Sequence, residues 1–234
     1  MGQLPSQFKQ AAAAEASSAA TGEVLVPVAT PLHNFDEIAA QAETTANRSQ
    51  LEEQATHGGV LLAQKKKKYW VQVHGGTRCN CFMLFPRGLS ITWGDDPSYW
   101  TWKKLLPGET GDDPDIEVAS LLDVCWLEIH GKLELSHLTP GVNYNVAFEV
   151  KLADGGGSGW SRPVNLRLKF PDGPVQERKE LLRGKPANLW LQLKVGEIQP
   201  RQGQRGEILI SLFEYGGHWK SGLIVKGIKI APKE

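Results

Sequence analysis

The chain has 234 residues, 26 basic and 26 acidic side chains, and three cysteines. No stretch approaches the roughly 20 apolar residues that cross a bilayer, and so sparse and odd a cysteine set fits reduced thiols in a cytosolic protein better than a disulfide framework. Residues 1–64 carry two basic side chains against seven acidic ones, so the neutral whole joins an acidic front to a mildly basic body.

The opening "MGQLPSQFKQAAAAEASSAATGE" has no apolar run of secretory length, which predicts a soluble, non-secreted protein. Gly2 and Ser6 fit a minimal acylation pattern. One acyl chain binds membranes only marginally, and neither a polybasic patch nor a second lipidatable cysteine is near, so no stable membrane anchoring is expected. The Ala/Ser/Thr/Gln-rich stretch 10–22 has too little apolar surface to offset its ordering entropy and is predicted to be disordered. Residues 36–55 favour a helix, but Ile38, Ala42 and Leu51 make a thin stripe, so only a short, marginal helix is expected. Asn47-Arg48-Ser49 matches a glycosylation sequon that stays unused without export. Residues 1–64 are therefore expected to be a flexible extension, with the domain proper spanning 65–234.

The lysine run 65–68 reads either as an import or phosphate-binding patch, with Tyr69 and Trp70 as stacking surfaces for bases, or as a solvated run that blunts an edge strand. The second reading is preferred, because the run is shorter than usual basic patches. From there the period becomes that of strands. "KYWVQVH", "CNCFMLF", "LSITW", "VCWLEIHGKLEL", "YNVAFEVKL", "VNLRLKF", "LWLQLKV", "EILISLFEY" and "LIVKGIKI" alternate with turn signals such as Pro171-Asp172-Gly173. The fold class expected is all-β, an antiparallel β-sandwich or jelly roll.

Three of the eight tryptophans crowd the turn "LSITWGDDPSYWTW". Trp93 and Trp100 can form the walls of a shallow cleft, with Asp95, Asp96 and Tyr99 at its lip. That chemistry suits a sugar, whose C–H face packs on indole while its hydroxyls need fixed acceptors. The same rings can instead be core or cross-strand pairs, and pattern alone leaves the two readings even. Trp102, Trp126 and Trp190 are expected in the core. Cys79 and Cys81, on one strand near His74, read as small buried hydrophobes rather than metal ligands, because no second paired motif completes a tetrahedral set. Asp95 and Asp96 are adjacent rather than opposed, and no nucleophile motif is present, so no catalysis and no cofactor are expected.

"LSITWGDDPSYWTW", "DIEVASLLDVCWLEIHGKLE", "LTPGVNYNVAFEVKL" and "GHWKSGLIVKGIKI" resemble successive motifs of the phloem protein 2 family, whose lectin domain is shared with the tobacco lectin Nictaba. The resemblance runs from about Lys67 to Pro232. It implies a β-sandwich that binds oligomers of N-acetylglucosamine and the chitobiose core of N-glycans, with Trp93 and Trp100 at the motif positions of the sugar-contacting tryptophans. Position adds Asp95, Tyr99, Trp219 and Lys220 as further contacts, although Trp219 reads equally as core. The partners so implied are N-acetylglucosamine oligosaccharides and N-glycosylated proteins, with RNA as an alternative partner and a homodimer left open. The location implied is the cytoplasm of phloem sieve elements, with the nucleus as a further compartment.

Overall fold

The computed structural model describes residues 31–105 and 116–234. The expectations for the opening segment, the acylation pattern and the 10–22 stretch lie outside the described residues.

Thirteen strands are described: β1 (Val60–Leu62), β2 (Lys67–His74), β3 (Thr77–Leu84), β4 (Ser90–Ile91), β5 (Trp100–Lys104), β6 (Glu117–Leu121), β7 (Leu127–Glu134), β8 (Tyr144–Leu152), β9 (Val164–Lys169), β10 (Val175–Glu180), β11 (Leu191–Ile198), β12 (Glu207–Glu214) and β13 (Leu223–Pro232). All pair antiparallel, as expected, in two sheets. The five-stranded sheet runs β10-β9-β12-β7-β4. In the eight-stranded sheet β13 is the hub. Its one edge pairs with β3 and β6, which lead to β2-β1 and to β5, and its other edge pairs with β8, which leads to β11.

Alternation makes this a sandwich. Leu127, Ile129 and Leu133 of β7 and Ile208, Ile210 and Leu212 of β12 point inward. They share one apolar cluster with Val146, Phe148 and Val150 of β8 and Val225, Ile228 and Ile230 of β13. Each such side chain contributes roughly 1.5–3 kcal/mol on burial.

The compact unit begins at Pro31, ahead of the boundary expected at residue 65. Two short helices, α1 (Phe35–Ala39) and α2 (Arg48–His57), stand where one marginal helix was expected. Their stripe is thin, but Phe35, Ile38, Leu51 and Ala55 all enter the main core cluster, which supplies the partner surface that the sequence did not reveal. Asn47 and Gln50 form a capping box at the start of α2, so the side chain of the sequon asparagine serves the helix. Buried Asn80 ties the segment down. Its amide donates to the carbonyls of His33 (2.7 Å) and His137 (2.8 Å), while Tyr69 Oη donates to its oxygen.

The lysine run does not guard an edge. Lys67 and Lys68 lie in β2, between β1 and β3. Lys67 Nζ donates to Gln41 Oε1 at 3.1 Å, and burial lowers the Lys67 pKa. Cys79 and Cys81 are buried, and burial pushes both thiols up, Cys81 to about 12, which keeps them protonated and poorly nucleophilic. None of the described helices is long and apolar enough to cross a membrane.

Candidate functional site

On β7, the inward set 127, 129 and 133 forces Glu128 and His130 outward by parity, and Trp126 just before the strand continues their row. Trp126, expected in the core, is 44% exposed. On β12 the register sets Phe213 opposite Glu128 and Ser211 opposite His130. Tyr215 follows, and its ring stacks on Trp126 with centroids 4.2 Å apart and on Phe213 at 5.0 Å. The guanidinium of Arg167, on neighbouring β9, lies 4.7 Å from the Phe213 ring. The outer face of the five-stranded sheet thus carries a continuous aromatic row bordered by charge.

Glu128 organises that row. Its carboxylate accepts from Tyr215 Oη (2.6 Å), Trp126 Nε1 (3.3 Å) and Thr92 Oγ1 (3.4 Å), and it faces His130 Nε2 at 2.9 Å. The Tyr215 hydroxyl, then Trp126 and His130, hold the carboxyl below the usual range against the opposing effect of burial. Burial and the Glu128 carboxylate push the Tyr215 hydroxyl up to about 12. His130 Nδ1 lies 2.8 Å from Ser211 Oγ. With Nε2 donating to Glu128, the neutral ring accepts at Nδ1 from that hydroxyl. Hydroxyl, imidazole and acid are therefore in contact although Ser211 and His130 are 81 residues apart. Ser211 is only 2% exposed, so the trio holds the imidazole in place rather than offering a nucleophile.

The tryptophan turn adjoins this network through Thr92, whose N–H donates to the Glu128 carbonyl at 3.0 Å. Trp93 is 45% exposed and has a φ of 58°, a left-handed conformation that is costly for so bulky a residue. The turn is braced against that strain. Trp100 Nε1 donates to the Thr92 carbonyl (3.1 Å), Trp102 Nε1 donates to the Gly94 carbonyl (2.9 Å), and Asp96 Oδ1 accepts from the Ser98 N–H (2.9 Å). Trp93 packs on half-buried Tyr99 at 5.1 Å, and Asp95 is exposed.

Here the expectation of two stacking walls is corrected: Trp100 is 2% exposed and belongs to the core cluster. Trp102 and Trp190, expected in the core, are half-buried, with Arg87 at 3.6 Å and Lys151 at 4.6 Å from their respective ring centroids. A sequence profile described as Phloem protein 2 matches residues 79–232. The chain belongs to the phloem protein 2 family. It is 43% identical over 209 residues to phloem protein 2-like A1 of Arabidopsis thaliana, covering 86% of this chain and 81% of that protein. It is also 42% identical over 177 residues to a protein named lectin from Luffa acutangula, covering 75% of this chain and 81% of that one. Among solved structures, modules of an endo-1,4-beta-D-xylanase of Clostridium thermocellum complexed with xylohexaose align at 12% identity and a TM-score of 0.36, covering 64% of this chain and 27% of that one. A score of that size establishes nothing about this chain.

The second aromatic loop of this phloem protein 2 family member divides the two residues expected as contacts. Trp219 is 56% exposed and is not core. Lys220 is fully buried, so its reading as a surface contact is corrected. Its ammonium pairs with Glu214 Oε2 at 2.6 Å and donates to the carbonyls of Cys125, Gly216 and His218. Gly159 packs beneath: a Cβ there would lie 1.9 Å from the Trp219 carbonyl oxygen, and its φ is 81°. The Glu128 cluster escaped sequence reasoning, yet its signal was present. Trp126 is out of phase with Leu127, Ile129 and Leu133, and a strand cannot bury both sets in one core.

Proposed function

We propose that this protein is a lectin that binds N-acetylglucosamine oligomers, including the chitobiose core of N-glycosylated proteins, and performs no chemistry on them. The observation that carries the reading is the exposed Trp126–Tyr215 stack, locked by the four donors that converge on Glu128 and adjoined by the strained, exposed Trp93. Relatives named lectin in Luffa acutangula and Coccinia grandis support it. In this reading Trp93 and Trp126 stack on the C–H faces of sugar rings, with Trp219 extending the row. The acetamido methyl packs on aromatic edges while its N–H finds a carboxylate, with exposed Asp95 as the acceptor beside Trp93. Tyr99 supports the Trp93 ring from behind. A soluble protein of the plant cytoplasm, meeting glycoproteins there, fits the reading.

Isothermal titration of the full chain with chitotriose tests it. Trp126→Ala should weaken binding about tenfold, since stacking and ring burial together contribute roughly 1.4 kcal/mol. Full affinity with an unchanged melting temperature would refute the platform. Total RNA binding whose affinity falls steeply with salt, in the absence of any chitotriose binding, would favour the RNA alternative.

A further inference from the structure

We propose that the outer face of the eight-stranded sheet holds a second binding site, separate from the tryptophan platform, for a small amphipathic anion: a carboxylate or sulfonate on an aromatic or medium-chain apolar body. A pocket of about 330 Å³ opens there, at the lower end of the volumes typical of small-molecule sites. Its floor is apolar for a reason visible in the strands. Outward-facing Met83 of β3 packs with Phe85 and Ile116 into a cluster detached from the main core, and Trp70 of β2 leans against it. These three side chains are already buried, so the floor is set before any ligand arrives, and half-buried Trp70 is left as the ring a ligand can stack on.

The rim has the opposite character. Among the described residues, Lys68, Lys226 and Lys229 line it together with one carboxylate, Glu149. Lys226 lies 3.4 Å from Glu149, and Gln192 also donates to that carboxylate at 3.3 Å, so Glu149 is occupied. Among the described residues no carboxylate pairs with Lys229. A ligand that stacks an apolar body on Trp70 and the Met83 floor and sets one negative group at Lys229 satisfies both halves. A cation meets an ammonium rim, and a sugar meets a floor with few acceptors.

The probe is 8-anilinonaphthalene-1-sulfonate, titrated by fluorescence into the full folded chain. The site requires saturable one-to-one binding that is displaced by decanoate but not by decanol, decylammonium or chitotriose. Lys229→Gln should weaken both probe and decanoate about fivefold, the scale of a half-exposed ion pair. Gly58→Phe should abolish binding, because Gly58 borders the pocket and an added Cβ meets nothing within 4 Å. Melting temperatures of both variants should match that of the parent chain, and decanoate should raise the parent's. Non-saturable fluorescence, displacement by decylammonium as strong as by decanoate, or unchanged affinity in both variants would overturn the proposal. Displacement by chitotriose would overturn the separateness of the site without touching the lectin reading.

Discussion

Trp93 and Trp219 are both exposed tryptophans on connections, at 45% and 56%, yet the residues beside them are held by different physics. The Trp93 turn is braced by neutral donors: the Trp100 and Trp102 indoles reach back eight residues to the carbonyls of Thr92 and Gly94. The Trp219 loop is braced by a charge, the buried Lys220 ammonium, which gathers three carbonyls and the Glu214 carboxylate. In each case the exposed ring shares its loop with a buried side chain that bonds to nearby backbone carbonyls, Trp100 for Trp93 and Lys220 for Trp219. A residue next to a candidate contact is therefore as apt to be its support as its partner.

The harshest way to break the comparison is to remove the charge. Lys220→Met strands Glu214 in a nearly dry site and should cost about 3–5 kcal/mol in chemical denaturation. Adding Glu214→Leu should recover most of that loss, because an apolar pair of similar volume replaces a buried ion pair at little cost. Failure of the double variant to recover would mean that the three carbonyl bonds, not the ion pair, hold the loop.

Removing the neutral brace should be nearly as severe. Trp100→Ala should lower stability by about 3–5 kcal/mol, as a core tryptophan does. If stability is unchanged while chitotriose affinity falls, Trp100 is a contact after all. Away from both loops, Ile38→Ala should cost about 2–4 kcal/mol, which measures how firmly the α1 segment belongs to the domain.

The displayed rings should respond in the opposite sense. Trp93→Gly should weaken chitotriose binding about tenfold, the loss of a stacking ring. Its melting temperature should hold or rise, because glycine removes the left-handed strain. A fall in melting temperature to match Trp100→Ala would erase the distinction between display and brace. The smallest effect expected is acid sensitivity. Glu128 is held below the unfolded carboxylate value of 4.5, so its contribution is complete above that pH and fades as pH falls toward the folded value. Chitotriose affinity should decline as pH falls below 4.5, and Glu128→Gln should flatten that decline.

Alternation and turn chemistry carried the all-β architecture in the sequence itself, because period two is a local property of a pleated strand. The buried thiols were also readable from composition and pattern. Even the placement of Trp126 was available, since parity with Leu127 and Ile129 set it on the solvent side. What the chain could not reveal locally was the company each residue keeps. Trp100 and Trp93 look alike within one turn, and only long-range packing buries the first and exposes the second. Lys220 looks like a surface base until Glu214 and three carbonyls enclose it. The weak stripe of Ile38 and Leu51 becomes core only because the sandwich supplies a partner surface, and burial is a property of that surface, not of the stripe.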